Sequence, residues 1–79
     1  MTYKLRLDPT VHEIYRTLPD PARADFALLL LDALADPLAH STPYGHDDGV
    51  FRTIARGTVT AAILIGDDTL TVIQITHLG

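Results

Sequence analysis

Tyr3, Leu5 and Leu7 alternate with Lys4 and Arg6, the two-residue period of a strand with one buried face. Asp8-Pro9 follows, a capping side chain ahead of a proline at the first helical position, where a missing N–H costs nothing. Thr10 to Glu13 also fits a capping box, which leaves the start open by two residues. Val11, Ile14, Tyr15 and Leu18 then recur at helical spacing, predicting a short helix over about 9–18. Asp20-Pro21 repeats the cap-plus-proline signal, and the helix it opens is expected to run to Ala35, where Asp36-Pro37 stops it. In this second helix Phe26, Leu29, Leu30, Ala33 and Leu34 form one stripe, and Leu28 and Leu31 widen it beyond a single face. Such a helix needs cover on two sides: the sheet on one, and the first helix or a partner chain on the other.

Residues 36–49 hold two prolines, two glycines and small polar residues, a loop of a length uncommon without a role. From Val50 the pattern becomes β. Val50 to Ala55, Thr58 to Ile65 and Thr69 to Thr76 are rich in β-branched residues and separated by Arg56-Gly57 and Gly66-Asp67-Asp68 turns. On the last two segments apolar residues occur at both parities, so both sheet faces need some cover. The order β-α-α-β-β-β spans 1–79 as a single α+β domain, with no internal repeat or linker. The expected architecture is a four-stranded, mostly antiparallel sheet carrying a helical hairpin on one face.

Length and composition add a constraint. A chain of 79 residues buries only about 60% of the surface its unfolded form exposes, and domains this small usually need a staple. Cysteine is absent, so the staple is a metal or a second protein surface. A composition 47% hydrophobic favours the latter, as a homodimer or a bound partner. Ten acidic against six basic residues give a net charge of -4, which argues against holding nucleic acid by a basic excess. The N-terminus has no secretory h-region. The longest apolar segment, 26–35, is interrupted by Asp32 and falls well short of the roughly 20 residues of a membrane helix. A cytoplasmic protein that does not engage membranes is the expectation.

Candidate chemistry is sparse. His46-Asp47-Asp48 is the best local metal cluster, but adjacent residues rarely converge on one ion, and no cysteine or helical histidine pair supports them. A solvated loop is the plainer reading, and no metal or cofactor is expected. The five glycines are scattered and form no phosphate loop, turn chemistry accounts for Asp67 and Asp68, and His12 falls on the polar side of the first helix. Arg52 and Arg56 share one face of their strand: strand arginines clamp phosphate through bidentate contacts or serve as solubilising edge residues, and both readings stand. Tyr44 and His46 in the preceding loop, with His77 at the end of the last strand, complete a candidate acid–base set around Arg52.

With Leu34-Ala35-Asp36-Pro37 closing the second helix and Gly49-Val50-Phe51-Arg52 entering the next strand, the chain resembles the RelE/ParE superfamily of bacterial toxin-antitoxin toxins over its full length. The resemblance implies a cognate antitoxin as partner. For the RelE kind it also implies metal-independent messenger RNA cleavage on the ribosome, in which a 2′-hydroxyl attacks the neighbouring phosphate while basic side chains stabilise the charge. Arg52 matches the basic position on the second strand, and His77 lies near a histidine of some members. Other positions depart from the pattern. Val59-Thr60 stands where the third strand usually carries an aromatic-arginine pair, and the family's C-terminal arginine and tyrosine have no counterpart before Gly79. Cleavage is therefore expected to be weak or absent. Two further classes remain: a ParE-like toxin that binds a protein target such as a topoisomerase, and a catalytically silent module that binds an antitoxin or itself.

Overall fold

The structure, a computed structural model, describes residues 3–46 and 48–78. The elements are β1 (Lys4–Leu7), α1 (Pro9–Thr17), α2 (Asp20–Ala35), β2 (Thr42–Pro43), β3 (Phe51–Arg56), β4 (Val59–Ile65) and β5 (Thr69–His77). α1 begins as its sequence implies: the Asp8 carboxylate accepts a hydrogen bond from the Thr10 amide at 2.9 Å, with Pro9 in the first turn. α2 begins one residue earlier than its cap signal suggests. Pro19 occupies the cap position without a side-chain bond, and Asp20 lies in the first turn, where its charge complements the positive end of the helix dipole. The stop at Ala35 falls where Asp36-Pro37 places it.

Among the described residues the sheet has five strands in the order β1-β5-β4-β3-β2, not the four expected. The additional strand is the Thr42–Pro43 pair, which runs antiparallel to β3 with Thr42 opposite Thr53 and Pro43 opposite Arg52. Proline is tolerated there because an edge strand needs no donor on its outer side. β3, β4 and β5 form the antiparallel meander, and β1 joins β5 in parallel. Gly57 turns the β3–β4 hairpin with φ of +59°, as a two-residue hairpin loop with glycine at its first central position requires.

Both helices cover one face. Val11 and Leu18 from the α1 segment, and Ala22, Phe26, Leu29, Leu30 and Ala33 from α2, pack on Ile54, Val59, Ala61, Ile63, Leu70, Val72 and Ile75. The two parities of β5 have a local cause. Ala62 lies opposite Gln74 and Ile63 opposite Val72, so Ile73 is the extra residue of a β-bulge. The bulge turns Leu70, Val72 and Ile75 all toward the core despite their mixed spacing, and leaves Ile73 37% exposed. Leu64 on β4 is likewise exposed on the uncovered face. Among the described residues no helix is long and apolar enough to cross a membrane.

Candidate functional site: the open face of the sheet

The uncovered face is built from the alternate residues of each strand. One corner, rich in hydrogen bonds, lies where the 36–49 loop returns to the sheet. The Asp48 carboxylate Oδ1 accepts hydrogen bonds from the Val50 and Phe51 amides, both at 2.9 Å. These bonds, the Phe51 amide foremost, hold the Asp48 carboxyl below its usual range. The Tyr44 amide donates to the Phe51 carbonyl at 3.1 Å. The two rings stack with centroids 4.4 Å apart and planes 5° from parallel. Beside them the Thr42 and Thr53 hydroxyls share a hydrogen bond of 2.9 Å.

From this corner a row crosses the sheet by register: Phe51 faces Leu64, Leu64 faces Thr71, and Thr71 faces Arg6. The row runs from an aromatic pair through an aliphatic and a hydroxyl to a single cation at the far edge. The neighbouring row, Thr42, Thr53, Ala62 and Gln74, is neutral. Chemically this surface suits apolar and hydrogen-bonding contact, with half-exposed aliphatic side chains and a planar platform, more than it suits stabilising several phosphate charges.

The candidate acid–base residues divide between the two faces. Tyr44 stands on the open face, half-exposed. Arg52 shares the parity of Ile54 and turns to the helix-covered side, where it is 8% exposed. There Nε donates to Ser41 Oγ at 2.6 Å and Nη2 to the Ser41 carbonyl at 2.9 Å. These bonds tie β3 to the segment that leaves α2. His77 lies opposite Val59, which lies opposite Arg56. Its row is thus four residues along β3 from that of Arg52, about 13 Å at ~3.3 Å per residue. His46 is exposed in the loop. Asp47 of the His46-Asp47-Asp48 cluster lies outside the described residues, as does Gly79. Among the described residues no three metal-binding side chains come together. Arg56 Nε is 3.7 Å from Asp25 of α2, and His12 is exposed on α1.

Two features of this region escape sequence reading. The Tyr44–Phe51 stack joins residues seven apart, and only the two-residue strand just before Tyr44 sets their register. Ser41 as the acceptor for Arg52 carries no pattern of its own. The alternation of Thr42 and Tyr44 around Pro43 is the one available signal, and it is too short to stand above a loop.

No protein-family model and no curated protein sequence matches the chain. Solved structures do match. The toxin-antitoxin complex RelBE2 of Mycobacterium tuberculosis contains a chain superposing with a TM-score of 0.85 at 21% identity, over 99% of this chain and 100% of that one. A doubly substituted E. coli toxin RelE in the free state gives 0.79 at 20% identity, over 98% and 84%. The archaeal RelE-RelB complex from Pyrococcus horikoshii gives 0.75 at 13% identity, over 100% and 98%. Two helices on one face of a mixed sheet, in this order and over this full length, make the chain's architecture the RelE-like toxin fold.

Proposed function

We propose that this chain is the toxin-side component of a cytoplasmic toxin-antitoxin pair. It works chiefly by binding a cognate antitoxin protein, and its metal-independent messenger RNA cleavage is weak or absent. The observation that carries the first part is the full-length match to a chain described in a toxin-antitoxin complex and to one described in a RelE-RelB complex. The same E. coli toxin RelE is described in complex with an antitoxin peptide, and superposes with a TM-score of 0.79 at 20% identity. The separation of Arg52 and Tyr44 onto opposite faces supports the second part. General acid–base catalysis of a 2′-hydroxyl attack needs its groups within hydrogen-bond reach of one phosphate, and Arg52 is engaged with Ser41 in the core-facing layer. The open face, with its Tyr44–Phe51 stack and exposed Leu64 and Ile73, offers a partner the apolar contact that interfaces are built on.

The test is to express the chain alone in bacteria while following growth and messenger RNA integrity, and then with the neighbouring small gene that a toxin-antitoxin operon requires. Binding of that gene's product to the chain, with messenger RNA intact, is the expected result. Tyr44→Ala with Phe51→Ala should weaken the purified complex at least tenfold. Rapid cleavage of ribosome-bound messenger RNA would overturn the assignment of weak chemistry. An absence of both toxicity and antitoxin binding would overturn the assignment to a toxin-antitoxin pair. A ParE-like action on a topoisomerase would appear as arrest accompanied by DNA damage.

A further inference from the structure

α2 is apolar on the side it turns away from the sheet as well as on the side it buries. Ala22, Phe26, Leu29, Leu30 and Ala33 face the core. Ala24, Leu28, Leu31 and Ala35 are all exposed, Leu28 by 44% and Leu31 by 65%. At 3.6 residues per turn this second set lies about 180° from the first. Its spacing is four, three, four, the alternation of the seam along which two helices pack by knobs into holes.

We propose that this seam is the contact between two copies of the chain, joined as an antiparallel α2–α2 pair about a two-fold axis between Leu29 and Leu30. The order of residue sizes selects this occupant. Ala, Leu, Leu, Ala reads the same in both directions, so an antiparallel second copy sets Leu28 against Leu31 and Ala24 against Ala35, twice each. Leucines meet at the centre, and alanines at both ends let the backbones approach. In an antiparallel pair each flank of the seam meets the same flank of the other helix. One flank sets Ala27 near Leu34 of the second copy, which is apolar. The other sets Asp25 near Asp32 of the second copy. Asp25 already has Arg56 Nε at 3.7 Å, with about half of the arginine side chain exposed. Each exposed Asp32 therefore meets a cation–carboxylate pair and not a bare carboxylate. A parallel second copy sets Ala24 against Ala24 and Leu28 against Leu28, and gives the Asp25–Arg56 pair no Asp32 to face. A self-complementary patch of this kind is what a two-fold dimer requires.

A single helix pair buries less than roughly 1,200 Å² in total, the class of weak and reversible complexes. Dissociation in the range of about 10–100 µM is accordingly expected. The inference rests on α2 and the Asp25–Arg56 pair beside it and not on the toxin reading, and the chain by itself is enough to test it. Because the protein has no cysteine, Ala24→Cys and Ala35→Cys can be made singly. In the antiparallel pair, position 24 lies against position 35 of the other copy and about 16 Å from its own equivalent, beyond disulfide reach. Mild oxidation should link a mixture of the two variants and leave each alone unlinked. Sedimentation of the unsubstituted chain up to ~200 µM should show a monomer–dimer equilibrium, and Leu31→Lys should abolish it while leaving the circular dichroism spectrum and melting temperature unchanged. A monomer throughout that range, a dimer that survives Leu31→Lys, linkage of either cysteine variant to itself, or a mixture that does not link would each overturn the proposal.

Discussion

Arg52 is the residue for which a catalytic and a structural reading make opposite forecasts. The residue is 8% exposed, and its guanidinium bonds the hydroxyl and carbonyl of Ser41 at 2.6 and 2.9 Å. Hydrogen bonds to a charged group contribute about 1.5–3 kcal/mol each in mutational series. Ser41 is only half-buried, so water recovers part of that loss when the arginine is removed. The aliphatic stem lies on the covered face with Ile54 and Ile63, and truncating it adds a packing penalty. Arg52→Ala should therefore destabilise the chain by roughly 2–4 kcal/mol. In a domain of this size that is a fall in melting temperature of about 10–25 °C. Thermal unfolding by circular dichroism measures it. Ser41→Ala should give a smaller loss, and the double variant should cost less than the two single losses together, because the residues share one interaction. A melting temperature for Arg52→Ala within ~3 °C of the parent would refute the structural role and leave the guanidinium available for chemistry. The outcome also governs any activity assay: an inactive Arg52→Ala protein reports on catalysis only where it is shown to be folded.

Three further outcomes follow from the packing and the turns. Leu30 lies in the core between α2 and the sheet, so Leu30→Ala should cost about 2–5 kcal/mol in denaturant unfolding, whereas a change within ~0.5 kcal/mol would place it at the surface. Gly57 has φ of +59°, and a Cβ there would press on the Asp25 carboxylate, the partner of Arg56; Gly57→Ala should cost about 1–2 kcal/mol, and an unchanged midpoint would show that the turn relaxes freely. The Asp48 carboxyl is held below its ordinary value by the Phe51 and Val50 amides. A depressed folded-state value means that its contribution is complete above the unfolded value of about 3.9 and is lost as pH falls through the lower folded one. An NMR titration of Asp48 with its midpoint at or above ~3.9 would contradict the geometry of that turn.

Most of the fold is legible because its signals are local. Alternation marks β1, the Asp8-Pro9 and Asp36-Pro37 signals bracket the helical hairpin, and glycine at position 57 marks the hairpin between β3 and β4. Two features are not local. The Thr42–Pro43 strand exists only because β3 offers an edge to pair with; two residues carry no periodicity, and a proline within them argues against a strand. The bulge at Ile73 is the other. Read as an unbroken strand, Leu70, Val72, Ile73 and Ile75 place aliphatic residues on both faces and suggest that both need cover. One inserted residue resets the parity and buries three of the four on one side. The demand for a second covering layer is correspondingly smaller than the pattern implies, and what remains of it is concentrated at Leu64, Ile73 and the outer seam of α2.

The candidate site was less legible because parity within a strand is reliable only when its register to neighbours is known. The spacing of Arg52 and Arg56 puts them on one face, but which face depends on Ile54, and Ile54 belongs to the core. The same parity that buries Ile54 turns Arg52 inward to Ser41 and brings Arg56 to Asp25 of α2. It also turns Phe51 outward onto Tyr44. Of the two arginines weighed as phosphate clamps or edge residues, Arg52 is thus engaged with Ser41 in the segment that follows α2, and Arg56 lies beside Asp25 of α2. The outward positions of β3 and β4 hold Phe51, Thr53, Ala55, Thr60, Ala62 and Leu64, none of them charged. Charge steers association and stabilises phosphates, whereas apolar and aromatic contact sustains a protein complex. A partner of the open face should therefore bind with an affinity that changes little with salt. Antitoxin binding that fell more than about tenfold between 50 and 200 mM salt would instead point to contacts through charge, and would move the interface away from the Tyr44–Phe51 corner, across the same face, toward the Lys4 and Arg6 edge of β1.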